Sequence, residues 1–240
     1  RFLMHREYKK WWSPSLGKEM ELLVFGHAGT PVLVFPSSLG RFFEWEDFKM
    51  MEAMRHQIEN GFNRFILVDS VDSESFYNKN VDPYVRIMRH RQYEAYIVHE
   101  VIPFIYTLGQ NRYLVATGCS FGAYHAVNIG IKHPYQFKKI IAMGGMYDIK
   151  SFLHGFYDEN VYFNNPIDYI RNIHDEHQLN AIRAMDIRLV TGVHDICWDA
   201  NERFSNLLHT KSIPHQLDLW GDGTGHDWPF WREQMKKHII

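Results

Sequence analysis

Two possible nucleophiles stand side by side in the segment "ATGCSFGAYHA", Ala116 to Ala126: Cys119 and Ser120. Either could attack a carbonyl carbon, so the neighbours must decide between them. Where a strand turns straight into a helix, the residue at the bend takes a strained backbone conformation and its side chain is pushed out at the sheet edge. The positions two before and two after are then crowded and must be very small. Around Ser120 these positions are Gly118 and Gly122; around Cys119 they would be Thr117 and Phe121, which would clash. Ser120 is the candidate nucleophile, and Cys119 is expected to face the core as a small apolar side chain.

A serine hydroxyl attacks well only when a base takes its proton, and the base needs an acid to orient it. In sheets with this kind of bend, the chain order is serine, then Asp or Glu, then histidine. "LVTGVHDICWDANERF" (Leu189–Phe204) offers Asp195 and Asp199 as the acid. Asp199 with Glu202 three residues later has the spacing of a helix capping box, which would occupy it structurally. Asp195, in the loop after a strand, is therefore preferred. "WGDGTGHDWPFW" (Trp220–Trp231) offers His226 at the end of a glycine-rich loop, with Asp227 and Pro229 suited to start the last helix. Two backbone amides must also meet the oxyanion that forms on the substrate. The amide of Phe121, just after the nucleophile, is one. The other should come from "PSSLG" (Pro36–Gly40), where Pro36 has no N–H; Ser38 is chosen, with Ser37 and Leu39 as alternatives. A metal site of Asp222, His226 and Asp227 would have one histidine and no regular ligand spacing, so no metal and no organic cofactor is expected.

The elements that would hold these residues can be read from short apolar runs alternating with helix-period segments. Strands are expected near Glu7–Trp12 and at Met20–Gly26, Pro31–Pro36, Arg64–Asp69, Arg112–Thr117, Lys139–Met143, Ile187–Thr191 and His215–Trp220. Helical spacing begins at Glu44 (Phe48, Met51, Met54, Ile58) with Gly61 as a stop. It returns from Tyr84 to Leu108, where Pro103 should kink or end the helix, then over Phe121–Lys132, and from about Pro229 to the end. This predicts an α/β fold: about eight strands, mostly parallel, with helices on both faces. Residues 148–184, polar and aromatic, break the rhythm and read as a cap-like excursion over one sheet end or as a connecting helix pair. Trp198, Trp228, Tyr157, Tyr162 and Phe163 are candidates either for a substrate pocket or for packing.

Composition narrows the function. The 240 residues carry 26 basic and 28 acidic side chains, and 45% are hydrophobic. With no polybasic patch, nucleic acid and anionic lipid are not expected partners. No run of 18 apolar residues occurs, so no membrane span is expected. Two cysteines in a chain of this size point to a reducing, cytoplasmic setting rather than a disulfide framework.

Together, "VLVFPSSLG", "HEVIPFI", "GCSFGAYHA", "KHPYQFKKIIAMGG", "TGVHD" and "GTGHDWPFW" resemble the esterase branch of the α/β-hydrolases that includes feruloyl esterases, S-formylglutathione hydrolases and mycolyltransferases. The resemblance runs over nearly the whole chain. It implies one α/β-hydrolase domain over 1–240 with an eight-stranded sheet, and a serine esterase acting on a small-molecule ester through an acyl-serine intermediate. By position it assigns a Ser120, Asp195 and His226 triad, with Ser38 and Phe121 as oxyanion donors. The Pro-Ser-Ser segment departs from the glycine-containing stretch usual in these relatives. An acyltransferase of the same chemistry and a non-catalytic binding protein of the same fold are the rival readings.

Overall fold

The apolar runs become the strands of a single sheet. The structure, a computed structural model, describes residues 4–240. Its strands are β1 (Arg6–Ser13), β2 (Lys18–Phe25), β3 (Thr30–Phe35), β4 (Asn63–Val68), β5 (Leu114–Cys119), β6 (Phe137–Met143), β7 (Asp186–His194) and β8 (Gln216–Gly225). They lie in the order β1-β2-β4-β3-β5-β6-β7-β8. The β1–β2 and β2–β4 pairs are antiparallel; the pairs from β4–β3 through β7–β8 are parallel. The expected α/β architecture is what forms.

Strand periodicity sorts the side chains into two cores. Leu33 and Phe35 of β3 enter one cluster, Val32 and Val34 the other. The first core is closed by α4 (Pro83–Tyr96), α5 (Ile102–Thr107), α6 (Phe121–Lys132), α9 (Glu176–Arg183) and α10 (Trp198–Thr210), through Tyr93, Ile102, Val127, Leu179 and Phe204. The second is closed by Trp45 of α1 (Glu44–Asp47), Met51 of α2 (Met50–Ala53), Ile58 of α3 (Arg55–Glu59), and Trp231 and Met235 of α11 (Trp228–His238). Helices thus cover both faces.

Three local readings are corrected. The segment from Glu44 is three short helices rather than one, broken where Lys49 takes a positive φ of 65°. Pro103 neither ends nor sharply breaks its helix. A π turn at Ile97–Val101 joins α4 to α5, and that wider turn takes up the bond and the space that a proline denies its own preceding turn. The glycine-rich stretch after Trp220 is not a loop: β8 continues to Gly225, which pairs with His194 of β7 past an irregularity in register. Asp222 and Gly223, with φ of 49° and 76°, lie within this irregularity. Residues 148–184 hold a 3₁₀ turn (Lys150–Leu153), α7 (Glu159–Tyr162), α8 (Pro166–Tyr169) and α9. Its first part packs Ile149, Leu153 and Val161 against Phe76, Phe121 and Tyr124.

Candidate active site

β5 runs into α6 with one residue between them. That residue, Ser120, has φ 57° and ψ −121°, a conformation that non-glycine residues hold only when their surroundings impose it. The glycines show what imposes it. A Cβ on Gly118 would stand 2.8 Å from the Gly122 Cα, and one on Gly122 would meet the Phe35 carbonyl oxygen and stand 2.7 Å from that of Pro36. The helix start is therefore wedged against the ends of β5 and β3, and Ser120 is turned outward at the C-terminal sheet edge. Its own N–H bonds the Met143 carbonyl at 2.8 Å. Cys119 is fully buried, and burial holds its thiol far above the ordinary range. Of the two adjacent nucleophiles, the serine is the accessible one, as expected. Phe121, the first residue of α6, has no acceptor for its N–H within the helix.

β7 and β8 bring the other two candidates to the same edge. Ser120 Oγ donates to His226 Nε2 at 2.9 Å, and His226 Nδ1–H donates to Asp195 Oδ1 at 2.9 Å. This proton placement is the one that satisfies both bonds, since a carboxylate only accepts. Asp195 is buried and held from several sides. Its N–H bonds the Gly192 carbonyl, its carbonyl accepts from Trp198 N–H, and its Oδ1 also accepts from Cys197 N–H at 2.7 Å. The imidazole stands edge-to-face on Trp231, with ring centres 4.9 Å apart.

Asp199 is exposed in the first turn of α10, and no capping box forms; the cap position is Cys197, without a side-chain cap bond. The Asp195 turn already holds the helix start through Cys197 and Trp198, so the helix begins too early for Asp199 to cap it. Asp227 does cap α11, accepting from Trp228 N–H at 2.8 Å, with Pro229 in the first turn.

Gly144 is a site residue that the motifs do not reveal. Its φ is +59°, and a Cβ there would lie 2.8 Å from Asp195 Oδ2 and 3.0 Å from His226 Nδ1. The one signal in the sequence is a Gly-Gly pair directly after a central strand. In the Pro36–Gly40 segment, Ser37 N–H is taken by Glu44 Oε2 at 2.8 Å. Of the three amides considered, those of Ser38 and Leu39 are left.

Among the described residues, Asp195, Cys197 and His226 have potential metal-ligand atoms that all lie within 4.8 Å of one another; Asp222 and Asp227 are not part of this group. Two of its atoms already bond each other, and burial, then Asp195, pushes the Cys197 thiol up to about 12. Trp228 stacks on Phe48 at 4.7 Å and belongs to the second core. Tyr162 and Phe163 line a hollow with Lys132, at the opposite end of α6 and about 18 Å along it from Ser120; this removes them from the site. Another hollow, of about 390 Å³, lined by residues including Met88, Arg91, Val98 and His133, also lies toward that far end.

The family model described as "Putative esterase" matches residues 13–240. A comparison with curated proteins finds no match. Among solved structures, a ferulic acid esterase superposes with a TM-score of 0.79 at 16% identity, covering 99% of this chain and 97% of that one. An S-formylglutathione hydrolase from Agrobacterium tumefaciens gives 0.76 at 17% identity, covering 98% and 93%. One from Staphylococcus aureus gives 0.72 at 16%, covering 98% and 96%. At these identities the structural likeness speaks for a shared fold.

Proposed function

The chain belongs to this esterase family and is a carboxylic-ester hydrolase, and we propose that it works through an acyl-serine formed on Ser120. Ser120 Oγ attacks the ester carbonyl as His226 Nε2 takes its proton, and Asp195 holds the imidazole in the required tautomer and favours its charged form. The amides of Phe121 and Ser38 receive the oxyanion. His226 then returns the proton to the departing alkoxide oxygen. Water, deprotonated by the same imidazole, attacks the acyl carbon; the bond to Ser120 Oγ breaks as His226 returns the proton to Oγ, and the acid is freed. Ser120 on its bend is in this reading a nucleophile elbow, with Gly118 and Gly122 as the small residues it requires.

The observation that carries the reading is the relay of two 2.9 Å hydrogen bonds joining Ser120, His226 and Asp195. In this reading residues 1–240 act as one domain. The first part of the 148–184 segment, resting on Phe121, is a cap-like wall beside the ester, a small molecule. Both cysteines are free, which suits a reducing, cytoplasmic setting.

Ser120→Ala should lower kcat on a small aryl ester by several powers of ten; loss of the catalytic serine in subtilisin costs about 2 × 10⁶-fold. A fluorophosphonate should add to Ser120 of the wild-type protein and not to the variant, as read by peptide mass. An Ala variant that turns over at the wild-type rate would overturn the reading.

A further inference from the structure

Inside the Pro36–Gly40 turn, positions 37 to 39 are Ser-Ser-Leu, with no glycine to let the backbone reach an oxyanion freely, yet the turn is hydrogen-bonded into a defined shape. Gly40 N–H bonds the Ser37 carbonyl at 2.9 Å, and Leu39 inside that turn has φ +59°. A branched side chain keeps such a conformation only where neighbours over-determine it. Two neighbours do so. Glu44 folds back under the turn, accepting from Ser37 N–H at 2.8 Å and from the Ser37 hydroxyl. It fills the space beside Gly40, where a Cβ would stand 2.9 Å from the Glu44 carboxyl carbon. From the other side, Tyr77 donates its hydroxyl to Ser38 Oγ at 2.7 Å. The Tyr77 ring also packs edge-to-face on Phe121, 5.7 Å between centres. Tyr77 therefore touches both residues whose amides are the candidate oxyanion donors.

We propose that Glu44 and Tyr77 are positioning residues that set the oxyanion-binding amides: Glu44 engages the Ser37 amide and turn, so that the Ser38 amide is the one presented, and Tyr77 fixes Ser38 relative to Phe121. This inference rests on the acyl-serine reading above and adds to it. In this chain a carboxylate and a phenol supply the rigidity that the backbone sequence does not. Their hydrogen bonds run to Ser37 and Ser38, not to Ser120 or His226. Burial pushes the Glu44 carboxyl above its ordinary range, and the Ser37 hydroxyl and amide offset part of that.

An oxyanion donor acts in the transition state and little in the ground state. Displacing it should therefore lower kcat and leave KM nearly unchanged. The test compares Glu44→Ala, Glu44→Gln, Ser37→Ala and Tyr77→Phe with wild type on an aryl ester. Each variant is also titrated with a trifluoromethyl ketone, which forms a tetrahedral adduct on the nucleophile. Removal of a whole oxyanion donor costs about 100- to 1000-fold, so a displaced donor should cost less. Glu44→Ala is expected to lose about 10- to 100-fold in kcat, Tyr77→Phe and Ser37→Ala about 3- to 10-fold, with ketone affinity falling in proportion and KM within about twofold. Glu44→Gln, which keeps one acceptor oxygen, should recover part of the Glu44→Ala loss. If Glu44→Ala does not fold, Ser37→Ala and Tyr77→Phe decide.

Wild-type kcat and ketone affinity in Ser37→Ala and Tyr77→Phe would overturn the proposal. So would a loss confined to KM or to melting temperature. A control separates this failure from that of the underlying reading: an active Ser120→Ala variant sinks the acyl-serine mechanism, whereas an inactive one beside fully active Tyr77→Phe and Ser37→Ala sinks only this inference.

Discussion

At the scale of single residues, burial and hydrogen bonding separate pairs that look equivalent in the chain. Cys119 and Ser120 are neighbours, yet one thiol lies at full burial in the core and one hydroxyl reaches a histidine. Asp195 and Asp199 are four positions apart, but only Asp195 meets His226. The capping argument that favours Asp195 in the sequence finds no support in the structure; what selects it is the loop geometry after β7. The consequence can be measured. Asp195→Asn should leave the fold in place and lower kcat by roughly 10⁴, the size of the corresponding change in trypsin, because the amide favours the wrong imidazole tautomer. Asp199→Asn, changing an exposed first-turn residue, should keep kcat within about twofold. Steady-state kinetics on one aryl ester checks both, and equal losses in the two variants would show that the acid is misassigned. Gly144 belongs to this scale as well: any side chain there would crowd the Asp195–His226 bond.

At the scale of elements, the site depends on how closely α6 can approach the sheet. Gly122 lies where the end of β3 meets the helix start, against the carbonyls of Phe35 and Pro36. These are backbone atoms at the end of a central strand and cannot swing aside. Gly122→Ala should therefore destabilise the protein by about 3 kcal/mol or more, at the upper end of ordinary overpacking costs. It should lower the melting temperature and the yield of folded protein. A Gly122→Ala protein that melts with wild type would mean that α6 stands further off β3 than the structure has it. The β7–β8 pair does comparable work. Beyond an irregularity in register, the His194–Gly225 pair anchors the backbone next to His226, so its approach to Ser120 is tied to the strand pairing.

At the scale of the whole molecule, the first core contains buried polar groups that should govern acid stability. His90 is buried, bonded through Nε2 to Asn164 Oδ1; burial, then the nearby His125, depresses its pKa to about 3. An unfolded histidine binds its proton near about 6.5, so between those values the unfolded chain holds a proton that the folded one refuses. The contribution of His90 to stability is complete above about pH 6.5 and is lost as pH falls toward 3, at up to about 1.4 kcal/mol per pH unit. Glu94 works in the window below. Burial opposes its charge, but His133 and Lys132 outweigh burial and hold its pKa at about 2, so its contribution is present above about pH 4.5 and lost below it. His90→Gln should flatten melting temperature against pH between about 6.5 and 4.5 and leave the steeper fall below. An unchanged slope in the upper window would remove His90 as the cause. The order of strand and helix, the bend at Ser120 with its two glycines, and the run of serine, acid and histidine down the chain were legible from the amino acids alone, because each depends on residue types at short spacing. The tertiary structure decided which acid faces the imidazole, which amides of Pro36–Gly40 are left open, that Glu44 and Tyr77 bond Ser37 and Ser38, that Gly144 lies against Asp195 and His226, and that β8 outlasts its apolar run. Those outcomes join segments 31 and 106 positions apart in the two hydrogen bonds of the relay. Such contacts leave no periodic trace in a linear pattern, and only the packed sheet fixes their distances.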